Sequence, residues 1–242
     1  MAIEGLYEIA KNLPLARDVY EMTLLGDTGS ILQPGQFVNI RLQGLFLRRP
    51  ISVCTWREGR MTLIYKVVGK GTALMSTLAA GEKLNLLVGL GNGFDAAPAR
   101  GKKIALVGGG VGVPPLYGLM EQLRGEDVAC VLGFNTAADA FYEKEFHNLG
   151  ASVTVTTVDG SLGIKGFVTD ALKNMTYDYY FTCGPEPMLR AVHRLGKEGQ
   201  LSFEARMGCG FGACMGCSCQ TIAGNRRICV DGPVMSSREV LL

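Results

Sequence analysis

Near the end of the chain, the stretch CGFGACMGCSC (Cys209–Cys219) places four cysteines and three glycines in eleven residues, and Cys229 follows. Written as spacing, it is Cys209-x4-Cys214-x2-Cys217-x11-Cys229, with Cys219 as an extra. C-x4-C-x2-C with a distant fourth cysteine is the plant-type [2Fe-2S] spacing. Such a cluster needs thiolates pointing inward from a loop that wraps it, and its sulfurs accept backbone N–H hydrogen bonds. Gly208, Gly210, Gly212 and Gly216 let the backbone close in where bulkier residues would hold it away. Structural zinc is the rival, but zinc sites usually present two short pairs, and only Cys214 and Cys217 form one here. Spacing alone leaves open whether Cys217 or Cys219 is the third ligand, because residues two apart in an extended segment share a face.

Four other stretches carry possible chemistry. RRPISV (residues 48–53) sets arginine before a strand, and a guanidinium fork suits a pyrophosphate. IYKVVGKGT (residues 64–72) runs a strand into Gly71-Thr72, where backbone donors can meet phosphate. GGGVGVPP (residues 108–115) follows a strand and opens a helix, which aims unpaired N–H groups of Gly108, Gly109, Gly110 and Gly112 at an anion. It departs from G-x-G-x-x-G, and the second strand ends in Asn135 with no acidic residue, so it is not the common dinucleotide loop. TCGPEPM (residues 182–188) ends a strand just before a helix. Ligands gather at such carboxyl ends, which puts Cys183 and Gly184 near a nicotinamide.

The elements that must position these residues form three segments. Up to about residue 98, short strands (VYEMTLL, QFVNIRL, ISVCTW, MTLIYKVV, KLNLLV) separated by turn residues predict a closed antiparallel barrel. Over 99–200, strands and helices alternate, which predicts a parallel sheet with right-handed crossovers. Residues 201–242 form a small glycine- and cysteine-rich unit.

Composition narrows the class. The chain has 242 residues, 48% hydrophobic and 19% charged, enough for a packed core. A net charge of +2 gives no case for nucleic acid or an anionic membrane. No apolar run approaches the roughly 18 residues of a span. The first residues lack a basic and then apolar leader, so the expected compartment is the cytoplasm, where thiols stay reduced. Two histidines, neither in a recognisable site, leave no general-base constellation and no catalytic residue for an organic substrate.

RRPIS, IYKVVGKGT, GGGVGVPPLY, DGSLGIKGFVTD, CGPEPML, EARMGCGFGACMGC and CVDGPV, in that order, cover nearly the whole chain. Together they resemble the ferredoxin-NADP reductase superfamily, and within it the electron-transfer subunits of dihydroorotate dehydrogenase B. The resemblance implies FAD contacts at Arg49, Pro50, Ile51, Ser52, Ile64, Tyr65, Lys66, Gly71 and Thr72. It implies cluster ligation by Cys209, Cys214, Cys217 and Cys229, with Cys219 outside the pattern. Ile51 stands where the superfamily often has tyrosine, which makes Tyr65 the alternative stacking partner for the flavin. The absence of basic residues in GFNTAADA favours NAD(H) over NADP(H). NADH releases two electrons at once and an iron–sulfur cluster takes one, so a flavin must join them. The implied partner is an FMN-bearing subunit that oxidises dihydroorotate to orotate in pyrimidine synthesis, in a heterotetramer of two copies of each chain. The alternative is an NAD(P)H–ferredoxin or flavodoxin reductase, or a hydrogenase-associated flavoprotein subunit.

Overall fold

The computed structural model describes residues 2–242. Alternating apolar residues in the first segment build six strands: β1 (Ile3–Ala16), β2 (Val19–Leu25), β3 (Phe37–Arg41), β4 (Arg49–Arg57), β5 (Arg60–Lys66) and β6 (Lys83–Leu90). They close into a barrel in the order β1-β2-β5-β4-β3-β6. In β6, Leu84, Leu86, Val88 and Leu90 point inward at every second position, as a half-buried strand requires. The 14-residue β1 escapes the sequence reading because its charged residues on the solvent side dilute the apolar pattern. A short helix, α1 (Lys70–Ser76), carries Gly71 and Thr72 just after β5.

The parallel strands are β7 (Ile104–Gly109), β8 (Val128–Phe134), β9 (Ser152–Thr157), the short β10 (Ile164–Lys165), β11 (Tyr179–Cys183) and β12 (Glu198–Ser202). The central strands β7, β8 and β11 read as nearly continuous apolar runs because both their faces are covered. Helices α2 (Val113–Gln122), α3 (Glu143–Asn148), α4 (Val168–Leu172) and α5 (Glu186–His193) cover the sheet. A hairpin, β13 (Ser218–Thr221) and β14 (Gly224–Arg227), carries the end of the cysteine loop. β15 (Val234–Ser236) then returns to pair antiparallel with β12, completing the order β10-β9-β8-β7-β11-β12-β15. β12 runs across residue 200, so the sequence boundary there falls inside a strand. The last segment thus contributes to the sheet at both of its ends.

Helix α2 is the hinge pin between barrel and sheet. Its Leu116, Leu119 and Met120 share one buried cluster with Cys54 and Ile64 of the barrel and Leu106 and Phe181 of the sheet. The backbones meet at Gly118, where an added Cβ would lie 2.3 Å from the Cys54 carbonyl oxygen. Polar links surround this contact: Arg17 with Asp139 at 2.7 Å, Arg57 with Glu121 at 2.6 Å, and the Tyr142 hydroxyl donating to Glu21 at 3.2 Å. No helix among the described residues is long and apolar enough to cross a membrane.

Gly118→Val is expected to destabilise the protein by about 1–3 kcal/mol, the usual cost of overpacking. Chemical denaturation measures it, and an unchanged midpoint would show that α2 can step away from β4 freely.

Candidate functional site

The cysteine loop leaves β12, reaches the barrel edge and comes back. On the barrel side, Asn39 Nδ2 donates to the Cys209 carbonyl at 3.1 Å. Asn92 Nδ2 donates to the Val230 carbonyl at 2.9 Å, and the Asn92 amide donates to the Gly232 carbonyl at 2.7 Å. The thiols are grouped in two pairs. Cys209 Sγ accepts the Ala213 and Cys214 amides at 3.2 and 3.5 Å, and Cys214 Sγ accepts the Cys209 amide at 3.4 Å. Cys217 Sγ accepts the Cys229 amide at 3.4 Å. Among the described residues, no three His, Cys, Asp or Glu side chains converge as a mononuclear metal would need. Two pairs of thiols with amide donors aimed at sulfur fit a cluster of two irons, one pair to each.

Burial separates the pairs: Cys214 is exposed and Cys209 half-buried, whereas Cys217 and Cys229 are buried. Burial raises the Cys209 thiol, but the amides of Phe211, Cys214 and Ala213 and the Cys214 thiol outweigh it and draw it down to about 6. Burial and the neighbouring Cys217 push Cys229 up to about 12. Metal binding therefore has to displace a proton on the buried side. Cys219 Sγ lies 4.0 Å from Met235 Sδ, turned toward the apolar interior. The loop closes on itself at glycine: a Cβ on Gly208 would come within 3.0 Å of Cys214 Sγ.

The two arginines of RRPISV part company. Arg48 donates to the main-chain carbonyls of Asn39 and Asn85 and pairs with Glu4 at 2.7 Å. Arg49 lies across the first turn of α1, so close that a Cβ on Gly71 would be 2.1 Å from its Nε. The Thr72 hydroxyl accepts the Val68 and Gly69 amides at 2.9 and 3.3 Å and so shapes this turn. A guanidinium laid over open helical amides fits a pyrophosphate. Pro50, Ile51 and Ser52 continue from Arg49 along β4, paired with β3 at Asn39, Val38 and Phe37.

The expectation that Tyr65 stacks on the flavin is corrected here. Tyr65 is 1% exposed, its ring stacks on Tyr20 at 5.8 Å, and its hydroxyl donates to Asn12 Oδ1 at 2.9 Å. Its ring fills the barrel and cannot stack on a flavin; burial pushes its phenol up to about 12. Ile64 is equally buried, in the cluster shared with α2. The alternation of β5 accounts for both: a side chain there packs either inside the barrel or against α2, so these two offer a flavin only main chain. Lys66, at the strand end, has its side chain at a cleft.

That cleft, about 520 Å³, opens over the carboxyl ends of β7, β8 and β9. Gly109 and Gly110 line it, together with Pro185, Met188 and Phe167. Gly110 has φ +53° and open space beyond it. Gly108 and Gly112 stand behind it as packing glycines. A Cβ on Gly112 would lie 2.1 Å from the Cys183 carbonyl oxygen, and one on Gly108 would lie 2.9 Å from Val113. A Cβ on Gly184, at φ +155°, would lie 3.1 Å from the Gly109 main chain. Cys183 is buried, and burial pushes its thiol up to about 12. It is a neutral thiol at the floor of this loop. Glu204 escaped the sequence reading. It follows β12 at the solvent-exposed rim of the cleft, and partial desolvation there raises its carboxyl above the ordinary range. Its only signal was a lone acid after an apolar strand in LSFEARM.

Two family models match the chain: the iron-sulfur cluster binding domain of dihydroorotate dehydrogenase B over residues 204–241, and the oxidoreductase NAD-binding domain over residues 106–194. A dihydroorotate dehydrogenase B (NAD(+)) electron transfer subunit from Fusobacterium nucleatum is 42% identical, covering 96% of each chain. One from Bacillus caldolyticus is 44% identical, covering 97% of each. Among solved structures, the NADH-dependent reduced ferredoxin-NADP oxidoreductase, described in terms of flavin-based electron bifurcation, superposes with a TM-score of 0.86 at 31% identity, covering 98% of this chain and 90% of that one. A ferredoxin NADP+ reductase from Neisseria gonorrhoeae with bound FAD and NADP shares the fold over 79% of this chain and 89% of that one, with a TM-score of 0.69 at 14% identity.

The Glu204 carboxyl gives a pH signature. Its proton is held more tightly folded than unfolded, so stability falls as pH rises from about 4 through the raised value. Glu204→Gln should match the wild type near about pH 4 and melt at a higher temperature near about pH 8. Parallel melting curves would mean that the carboxylate keeps its charge in the cleft.

Proposed function

The chain belongs to the family of dihydroorotate dehydrogenase B (NAD+) electron transfer subunits, and from that premise we propose how its residues divide the work. The protein is an oxidoreductase component that uses FAD, a [2Fe-2S] cluster and NAD(H) to pass electrons between a catalytic partner subunit and NAD+. Bound FAD supplies the exchange between a two-electron hydride and single electrons.

Cys209 and Cys214 hold one iron, and Cys217 and Cys229 the other. The amides already directed at these sulfurs tune the site. Arg49 over Gly71 and the first turn of α1 grip the FAD pyrophosphate, and the main chain of Pro50, Ile51, Ser52, Ile64 and Tyr65 lines the flavin. Thr72 fixes the turn, and Lys66 faces both the flavin edge and the nucleotide cleft. Gly109 and Gly110 bring backbone against the NAD phosphates, with Gly108, Gly112, Cys183 and Gly184 forming the packed floor that shapes them. Residues 1–98, 99–200 and 201–242 serve flavin, nucleotide and cluster, with β12 and β15 shared between the last two.

The observation that carries this reading is the grouping of four thiols in two amide-decorated pairs on a loop that is docked against the barrel. The exposed pair, beside half-exposed Phe211 and Met215, is the side through which an electron can leave the chain. The partner bears FMN, oxidises dihydroorotate to orotate for pyrimidine synthesis, and assembles with this chain in a heterotetramer of two copies of each in the cytoplasm. A second reading, a reductase serving ferredoxin, is favoured by the 31% identity to the NADH-dependent ferredoxin-NADP oxidoreductase. Formation of NADH from dihydroorotate only when both subunits are mixed separates the two.

Cys214→Ser should lose the cluster while NADH still bleaches the flavin. Iron and acid-labile sulfide analysis, with rapid-mixing absorbance, reads both. Retained iron in that variant, or lost flavin in a folded one, would overturn the assignment.

A further inference from the structure

One side chain stands between the flavin motif and the cysteine loop and belongs to neither. Asn39 lies on β3, opposite Pro50 of β4 in the ladder, and is 1% exposed. Its Nδ2 donates to the main-chain carbonyl of Cys209 at 3.1 Å. Gly210 sits directly on it: a Cβ there would come within 2.4 Å of Nδ2, and the φ of +81° already favours glycine. The strand under Asn39 is held from behind, since the Asn39 main-chain carbonyl accepts Arg48 Nη1 at 3.3 Å and Arg48 is pinned by Glu4. Its other amide atom, Oδ1, is buried without a hydrogen-bond partner. A buried unpaired acceptor costs about 1–3 kcal/mol, so a polar group kept there needs a use. Among the described hydrogen bonds, this is the one between a barrel side chain and a residue of the four-cysteine set.

We propose that Asn39 is the positioning residue that fixes the spacing between flavin and cluster, tying the strand beside Arg49–Ser52 to the first iron-ligating cysteine. The inference rests on the flavin and cluster assignments above. A flavin held at Arg49–Ser52 would accept the two electrons and proton of an NADH hydride, and a cluster held by the four thiols would supply one-electron exchange with an outside acceptor. Transfer between two fixed carriers falls steeply with added distance, so a loop free to drift off the barrel slows that transfer and leaves the hydride step alone. A site is only as good as the shell that holds it to within about 0.5 Å.

The test uses the full chain loaded with FAD and cluster, as wild type, Asn39→Ala and Asn39→Asp. The aspartate keeps the shape but loses the donor and sets an oxygen against the Cys209 carbonyl. Rapid mixing with NADH should show flavin bleaching at the wild-type rate in both variants. Cluster reduction should slow by about tenfold or more, the loss that outer partners of metal ligands carry. Amide hydrogen exchange over residues 208–214 should quicken in both variants, in loaded and iron-stripped protein alike. The aspartate variant should be at least as impaired as the alanine. Wild-type cluster reduction in fully loaded variants overturns the proposal. If a variant loses its iron, the iron-stripped exchange decides: faster exchange over 208–214 supports the clamp, and unchanged exchange overturns it. A wild-type chain without FAD or iron would instead sink the assignments beneath it.

Discussion

The molecule depends on main chain meeting main chain, or meeting a fixed side chain, at glycine. Gly118 sets α2 against the Cys54 carbonyl, Gly112 sets the nucleotide loop against the Cys183 carbonyl, and Gly210 sets the cysteine loop against Asn39. Each contact would be broken by a single added carbon. An electron relay has to bring three carriers close together without letting them slide, and tight packing at points without side chains provides that closeness and stiffness together. The 33 glycines of the sequence are in part the trace of this requirement.

Around those contacts the electrostatics are quiet. The ion pairs that join barrel and sheet lie at the rim, where Arg17 and Arg57 are largely exposed and contribute little energy. What they set is orientation. Burial keeps the thiols of Cys54, Cys130 and Cys183 neutral. Cys209 is the exception, lowered because several amides point at its sulfur. The thiols outside the cysteine loop are thus kept neutral, while Cys209 is drawn down in the loop where metal would bind.

Much of this was legible in the residues. Alternation in β6, the continuous apolar runs of β7 and β11, and the cysteine spacing each carry a strong local signal, and the barrel, the parallel sheet and the cluster segment follow from them. The parts that stayed hidden share one cause, contact between residues distant in sequence. β12 and β15 define themselves by pairing with each other, Tyr65 turns inward because of Tyr20 and Asn12, and Glu204 matters because the fold brings it to the rim of the nucleotide cleft. The motif RRPISV shows two adjacent arginines; only the fold sends Arg48 to the β3 carbonyls and Arg49 to α1.

The ladder that joins Ser202 of β12 to Val234 of β15 closes the cysteine loop at its base. Both ends of the loop are thereby anchored in a sheet whose other strands owe nothing to metal. The scaffold can finish folding before any iron arrives, and the thiols then wait, grouped and accessible from the Cys214 side, for delivery. Maturation of such a protein is insertion into a prepared socket, in contrast to small zinc domains that stay unfolded until their ion binds.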